Sequence, residues 1–419
     1  MDPIQLECFN AMKNGKNVFI TGGGGVGKSY LIRIFRNWFF NKKYLGITST
    51  TGISALEIGG TTIHSYLGLG LGKDNSENLY NKIRRNKFIF NKWRIIKTLI
   101  IDEVSMLQPK LLEVIEEVAR MIRCNDKPFG GIQLIFCGDF CQLPCINSNS
   151  FCFETEVWKT LNFTIFYLKK SYRQDDIELF ELLNECRLGN LSEKSIKILS
   201  SRNIDIGDKK DISPVKPTKL FAINKSVDEL NINEISLLLK NTKEYYQYQI
   251  EVINQKVSDD YIIKYIQNMN IYESTVCIGT QVMITANIDI EGGIVNGSRG
   301  VITGFEWNDK QDSKIPLIKI KNGKTIKLDY YSQEIKDDND KTIFIIKYIP
   351  LRLAYAISIH KSQGLTLDCV QIDFLNIFEY GQAYVALSRI KNLDSLYLMN
   401  FDSRKIKCHP KAKEFYEKI

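Results

Sequence analysis

Three histidines stand in 419 residues, and that scarcity narrows what the chain can do with a metal. The ten cysteines do not fill the gap. Cys137, Cys141 and Cys145 are evenly spaced, but the spacing is not that of zinc ligands, and Cys137 ends an apolar strand. Small buried or half-buried hydrophobes are the expected reading. No cysteine pattern suggests a disulfide framework, which fits a reducing compartment. No apolar run approaches the roughly 20 residues that a membrane span needs. The opening MDPIQLECFN is neither a signal peptide nor an Arg-rich transit sequence. An intracellular protein with no membrane partner is expected, nucleus and cytoplasm not being distinguished. Internal repeats are also missing.

What is present is ordinary in bulk. Hydrophobic residues make 44% and charged residues 25%, as in a globular protein of two to four domains. The net charge of +8 is compatible with a polyanionic partner and weak on its own. Abundant Lys, Asn and Ile point to an AT-rich genome, of a large DNA virus or a parasite. A viral replication site is then a candidate compartment.

Gly22 to Ser29 read GGGGVGKS and satisfy G-x-x-x-x-G-K-[ST] in full. The apolar run Val18 to Ile20 precedes it as a buried strand. Tyr30 to Phe35 continues it as an amphipathic helix. In that setting backbone N–H groups converge on phosphate oxygens. Gly22, Gly23, Gly24, Gly25, Val26 and Gly27 would line the cradle. Lys28 would reach the β- and γ-phosphates of ATP, and Ser29 would ligate Mg²⁺.

Thr98 to Glu103, TLIIDE, is a buried strand ending in two carboxylates. Strand ends at the top of a parallel sheet are where ligands bind. Asp102 is expected to hold Mg²⁺, and Glu103 to orient and deprotonate the attacking water. The next strand, QLIFCGD, leads to Gln142, placed as a sensor of the γ-phosphate. Gln5 is placed to hydrogen-bond an adenine edge. Phosphoryl transfer needs positive charge beyond one lysine. Arg173 in SYRQ and Arg389 in YVALSRI are the candidates, with surface arginines as the alternative for each.

Apolar runs alternate with helical stretches from Val18 to about Phe140, which predicts a parallel sheet covered by helices. Between Leu67 and Lys97 lies a polar, basic insert, read as a small helical subdomain. A second α/β region begins at Leu168. From Gly279 to Lys347 short β-branched runs separated by NG, DK and NDK turns predict a small antiparallel barrel. Helix-strand text then returns. The fold class is α/β, with residues 1–167 as a first domain carrying the helical insert at 67–97. A second domain is expected over 168–278 and 348–419, and the barrel insert over 279–347.

The ordered set GGGGVGKS, STTGISALEIGGTTIHSYLG, LIIDEVSML, GDFCQLP, SYRQ, SIHKSQGLTL and YVALSRI resembles a superfamily-one helicase of the 5′-to-3′, RecD-like branch. The stretch Leu111 to Pro144, with VAR, R and KPFGGIQL in order, is similar to the signature of the petite-integration-frequency (PIF) family. Two RecA-like P-loop NTPase domains with ATP in the cleft between them are implied, with a helical wedge and an SH3-like β-barrel insert. Lys28, Ser29, Asp102, Glu103, Gln142, Gln5, Arg173 and Arg389 take the ATPase roles above. Thr50, Thr51, His64, His360, Lys361, Ser362, Gln363 and Thr366 are implied as contacts to single-stranded DNA. Gly364 is grouped with the cofactor-binding residues and allows a close backbone approach. Satisfied structural histidines remain the alternative for His64 and His360.

For the wedge's Lys82, Arg84, Arg85, Lys87, Lys92 and Arg94, a solvated face competes with duplex contact. Trp93 is expected to pack the wedge rather than stack a base. The pair Asn296-Gly297 sits where the family has a similar turn, though a hairpin alone explains it.

The resemblance implies an ATP- and Mg²⁺-dependent DNA helicase acting on single-stranded and forked DNA, a monomer in its basic form. Replication, recombination, repair and telomere maintenance are the pathways that the family serves. Its longer members carry accessory regions at both ends, for which this chain offers no counterpart, so regulation and partner docking are not carried over. An RNA helicase and a nucleotide-switched DNA-binding scaffold are the alternatives. No reader of the 2′-hydroxyl is visible for the first. The complete hydrolytic set opposes the second.

Overall fold

The apolar runs of the N-terminal part become parallel strands, the central ones buried on both faces. They are β1 (Val18–Thr21), β2 (Leu45–Ser49), β3 (Thr61–Thr62), β4 (Thr98–Asp102), β5 (Gln133–Gly138) and β6 (Thr164–Tyr167). Their order across the sheet is β3-β2-β4-β5-β1-β6. The computed structural model describes residues 1–419 apart from 71, 146–147, 149, 173–175, 205–214, 270, 290–291, 293, 310–311, 321–322 and 337–340. Arg173 therefore lies outside the described residues.

The chain forms two units. The first comprises Met1–Asp175, Arg187–Gly189 and Lys407–Ile419, and the second Asp176–Cys186 and Asn190–Ile406. The tail is a correction. Residues 407–419 were expected in the second domain, yet the C-terminal helix Pro410–Glu417 belongs to the first unit. Its apolar side chains are the reason, since Phe415, Tyr416 and Ala412 pack into the first unit's aromatic core.

The period of two decides the faces of β1. Phe19 points into a core shared with Phe136, Phe140 and Trp158. Val18 and Ile20 point into the opposite core with Cys8, Leu31, Ile32 and Phe35. These last come from α1 (Pro3–Lys13) and α2 (Lys28–Trp38). Two short helices, α3 (Gly52–Glu57) and α4 (Ile63–Leu67), follow β2 and β3.

The expected wedge is a pair of helices, α5 (Ser76–Arg85) and α6 (Lys87–Ile95), each started by an asparagine cap, Asn75 and Asn86. Leu79, Ile83 and Trp93 face α7 (Pro109–Arg123) and join the core. Trp93 is fully buried and donates its indole N–H to Leu67 O at 3.0 Å, so it packs the wedge.

In the second unit four strands form a parallel sheet in the order β18-β7-β19-β20: β7 (Thr218–Phe221), β18 (Ala356–Ser358), β19 (Val370–Asp373) and β20 (Leu396–Met399). Between β7 and β18 the pairing turns antiparallel. A five-stranded sheet runs β14-β13-β12-β11-β17: β11 (Gln281–Ile284), β12 (Arg299–Asn308), β13 (Ser313–Ile320), β14 (Thr325–Lys327) and β17 (Leu351–Leu353). Two smaller sheets pair β8 (Tyr245–Tyr248) with β10 (Ser274–Cys277), and β9 (Glu251–Ile253) with β16 (Thr342–Tyr348) and β15 (Tyr331–Lys336). The antiparallel part thus reaches from Tyr245 to Leu353, beyond the expected 279–347. The strands β8 and β9 are short and mostly exposed, so they carry no apolar run to announce them.

Candidate nucleotide and nucleic-acid site

In β1, β4 and β5 the carboxyl ends lie side by side. Thr21 pairs with Gly138, and Ser49 with Asp102. One edge of the first unit's sheet therefore carries the glycine loop, both carboxylates and the turn holding Gln142.

The loop leaves β1 through Gly22 and enters α2 at Lys28. Gly25 and Gly27 take φ of 82° and 88°, open to glycine and costly for other residues. A Cβ on Gly27 would come within 2.7 Å of Gln5 Nε2. The Lys28 ammonium donates to Gly22 O and Gly23 O, each at 2.8 Å, which holds it over the loop. Ser29 follows in the first turn of α2, half-buried.

Gln5 lies at this loop. Its Nε2 donates to Val26 O at 3.4 Å. Its backbone N–H donates to Asp2 Oδ1 at 2.8 Å, while its Oε1 accepts from Asp2 N at 3.2 Å, a capping box that fixes the start of α1. Tyr172 was not singled out in the sequence, although it stands in SYRQ. Its N–H donates to Gly25 O at 2.9 Å, and its hydroxyl donates to Asp2 Oδ2 at 2.9 Å. Its ring lies along the loop, half-exposed, beside Gln5.

Asp102 is buried at the end of β4. Burial, with the adjacent Glu103 charge adding, pushes its carboxyl up to about 7, against hydrogen bonds from the Cys137 thiol and the Glu103 N–H. Cys137 is thus a thiol donor to the carboxylate, buried at the end of β5 and pushed well up by that burial. Glu103 adopts φ 53°, a left-handed conformation that costs a non-glycine residue roughly 1 kcal/mol or more. Bonds from Ser49 and Thr50 help to hold the two carboxylate residues' backbone. Thr50 Oγ1 donates to Glu103 O at 2.9 Å, Thr50 N to Asp102 O at 3.2 Å, and Ser49 Oγ to Asp102 O at 3.3 Å. Thr51 caps α3 by accepting from Ser54 N at 3.3 Å. His64, in α4, is half-buried against Gly72, and burial lowers its pKa.

Gln142 is buried on the turn after β5, its N–H donating to Asp139 O at 3.0 Å. Beneath it lies an ion pair invisible to motif reading. Arg187 Nη2 and Nε donate to Asp139 Oδ1 and Oδ2 at 2.8 and 2.9 Å, with both side chains buried.

In the second unit HKSQG forms the turn after β18. His360 is half-buried, with Nε2 3.7 Å from Glu379 Oε2. Burial lowers its pKa, opposed by Glu379. Lys361 Nζ donates to Tyr272 OH at 3.2 Å. Thr366 is half-buried, and Gly364 takes φ 82°. Gly297 of the NG pair has φ 97°, and a Cβ there would meet Thr366 O at 2.7 Å. The turn therefore needs glycine for close approach as well as for conformation.

Two of the residues expected to contact DNA have their side chains covered by the protein itself. Ser362 is buried with its hydroxyl donated to Ile359 O at 2.7 Å, and Gln363 is 1% exposed. Polar residues in a turn read as surface, but this turn folds inward. Arg389 is the side chain it folds around. Its guanidinium donates to Ser362 O and Leu365 O at 3.3 Å each, to Val385 O at 2.8 Å and to Ser388 Oγ at 2.5 Å.

Comparison with known proteins gives the family and the fold. Residues 5–198 match the family model "PIF1-like helicase", and 276–305 match "DNA helicase Pif1, 2B domain". Uncharacterized protein 030L of Invertebrate iridescent virus 6 is 35% identical, the alignment covering 99% of this chain and 93% of that protein. The ATP-dependent DNA helicase PIF1 of Xenopus laevis is also 35% identical, over 99% of this chain but 64% of the relative, so the chain spans less than two thirds of that protein. The crystal structure of Pif1 helicase from Candida albicans superposes with a TM-score of 0.77 at 32% identity, covering 100% of this chain and 99% of that one. With 32% identity to a Pif1 helicase over nearly the whole of both chains, and with residues 5–198 matching the family model, the chain belongs to the PIF1-like helicase family.

Proposed function

We propose that the chain is an ATP-dependent DNA helicase that moves 5′-to-3′ along single-stranded DNA and splits forked duplex. The observation that supports this is Thr50: a residue that the family resemblance implies as a DNA contact is bonded to the backbone of both carboxylate residues. Strand grip and hydrolysis are then one hydrogen bond apart.

ATP would lie with its phosphates on the N–H groups of the loop and of the α2 N-terminus. Gln5 and the Tyr172 ring would meet the base. Lys28 would exchange its two loop carbonyls for the β- and γ-phosphates. Water attacks the γ-phosphorus, the bond to the bridging oxygen breaks, and ADP and phosphate leave. Glu103 orients the water and accepts its proton, and Gln142 senses the γ-phosphate. Arg173 and Arg389 are the proposed further positive charges.

The donor set fits Mg²⁺: a serine hydroxyl and a buried carboxylate whose ionised form burial disfavours. Among the described residues no group of three or more His, Cys, Asp or Glu is placed to hold a metal ion, so phosphate and water oxygens would complete the shell. Bound there, Mg²⁺ would neutralise charge on the phosphate oxygens.

On the second unit His360, Lys361 and Thr366 would meet the sugar-phosphate backbone, with Gly364 allowing close approach. Thr51 and His64 would do so on the first. Such binding is sequence-tolerant and weakens with salt. Among the described residues no helix is long and apolar enough to cross a membrane.

The test is strand displacement on forked DNA and RNA carrying a 5′ or a 3′ tail, with wild type and Lys28→Ala. Unwinding of 5′-tailed DNA that vanishes in the variant is expected. Hydrolysis without unwinding on any substrate sinks the reading, and preference for RNA forks replaces DNA as the substrate.

A further inference from the structure

The turn that carries Gln142 is held by the C-terminal segment of the same unit. Tyr416 OH accepts from Phe140 N at 3.1 Å and bonds Thr21 Oγ1, the last residue before the glycine loop. Arg187, paired with Asp139, lies 4.2 Å from the centre of the Tyr416 ring. Phe415 packs edge-on to Phe140 and stacks on Phe153. At the start of this segment Cys408 Sγ lies 3.5 Å from Cys141 Sγ, although 267 positions separate the two in sequence.

We propose that Cys141 and Cys408 form a reversible disulfide that staples the C-terminal segment to the Gln142 turn. The sulfurs must close from 3.5 Å to about 2.05 Å. Cys141 is buried and Cys408 half-buried, so solvent reaches the pair through Cys408. The two thiols differ in reactivity. The hydrogen bond shared with Cys141 lowers the Cys408 thiol, burial and Asp139 oppose it, and Arg187 and Lys413 assist. The same bond, then burial, pushes Cys141 well up. Cys408 is the attacking thiol and Cys141 the resolving one.

The oxidant is a low-molecular-weight disulfide. Cys408 thiolate attacks one of its sulfurs, the sulfur–sulfur bond breaks, and one thiolate leaves and takes up the proton shed by Cys408. Cys141 then loses its proton and attacks the Cys408 sulfur of the mixed disulfide. The second small thiol leaves with that proton. Two protein thiols are oxidised and one small disulfide is reduced to two thiols.

The experiment treats the full chain with oxidised glutathione, blocks remaining thiols and maps peptides by mass. A peptide joining Cys141 to Cys408, lost on reduction and missing in Cys408→Ser and Cys141→Ser, is expected. Cys124, exposed at the end of α7, is the control for a thiol that stops at the mixed disulfide. The proposal is overturned if Cys408 in the wild type also stops at the glutathione adduct. It is overturned as well if Cys408 stays fully blockable while Cys124 reacts. The wild-type measurement decides even where a variant folds poorly, and it is independent of helicase activity.

Discussion

The hydroxyl of Thr50 donates to the carbonyl of Glu103 at 2.9 Å. Glu103 is left-handed, and its carbonyl accepts otherwise from Met106 N at 3.1 Å. A neutral hydrogen bond is worth about 1 kcal/mol, roughly fivefold in rate if it acts only on the reacting geometry. Thr50→Val should therefore lower DNA-stimulated turnover by about fivefold with the KM for ATP little changed. Thr50→Ser should recover most of it. Steady-state hydrolysis at saturating DNA measures this, and a normal rate in Thr50→Val removes Thr50 from the positioning of Glu103.

Arg389 raises a different question, because its guanidinium is already bonded to four groups of the second unit. A cation that only braces the HKSQG turn and one that also stabilises transition-state charge behave differently on replacement. The proposed role predicts that Arg389→Ala keeps ATP affinity within about threefold and loses at least about a hundredfold in turnover, since one such arginine is worth 10³ or more. Arg389→Lys should restore little, a lysine being unable to span the same carbonyls. Single-turnover hydrolysis alongside nucleotide binding separates the cases. Turnover that falls only in step with DNA affinity assigns Arg389 to bracing alone.

How much of this was legible in the chain follows from contact distance along it. GGGGVGKS, Asp102 and Glu103 could be read because strand, loop and helix are contiguous, and each motif carries its own geometry. Gln5 was placed from one weak signal and does reach the loop. The Tyr416–Thr21 bond joins residues 395 positions apart, so no local pattern announces it, and the tail was assigned to the wrong unit. Ser362 and Gln363 lie deeper than their polarity suggests. Polarity in a turn suggests solvent, but here backbone carbonyls had to face the Arg389 guanidinium, and the turn took its side chains inward. Strands β8 and β9 were unreadable because edge strands with exposed side chains need no apolar period.

The Asp139–Arg187 pair sets an acid limit. Burial alone would raise the Asp139 carboxyl, but the Arg187 charge and its hydrogen bonds hold it below the ordinary value. A carboxyl lowered in the folded state contributes its full stability above the unfolded pKa, about 3.9, and loses it as pH falls through the folded value. Wild type should keep this contribution from neutral pH down to about pH 5 and lose it progressively below about pH 4. Asp139→Asn strands a buried guanidinium and should cost roughly 3–5 kcal/mol near pH 7, the gap narrowing in acid. Urea unfolding followed by fluorescence, with Trp93 and Trp158 both in the first unit's core, reads the difference. An equal gap at both pH values rules out the titration.

Arg123 binds the wedge to the rest of the first unit. Its Nη1 donates to Trp93 O, Arg94 O and Ile96 O at 3.0, 3.0 and 2.9 Å, and its Nε to Gly130 O at 2.7 Å. The last carbonyls of α6 lack helical partners, and a cation there also meets the negative end of the helix dipole. A Cβ on Gly130 would come within 2.8 Å of both Ala119 O and Arg123 Cδ, so the R and KPFGG of the signature stretch form one clamp. Arg123→Ala should destabilise the first unit by about 2–4 kcal/mol, since charged hydrogen bonds contribute about 1.5–3 each and do not add. Arg123→Lys should recover less than half, because one ammonium cannot reach all four carbonyls. Loosened wedge helices should lower strand displacement on a DNA fork several-fold more than single-strand-stimulated ATP hydrolysis. Denaturant unfolding and the two activities measured together check this. Equal losses in both activities would leave Arg123 a stabilising residue with no part in splitting the duplex.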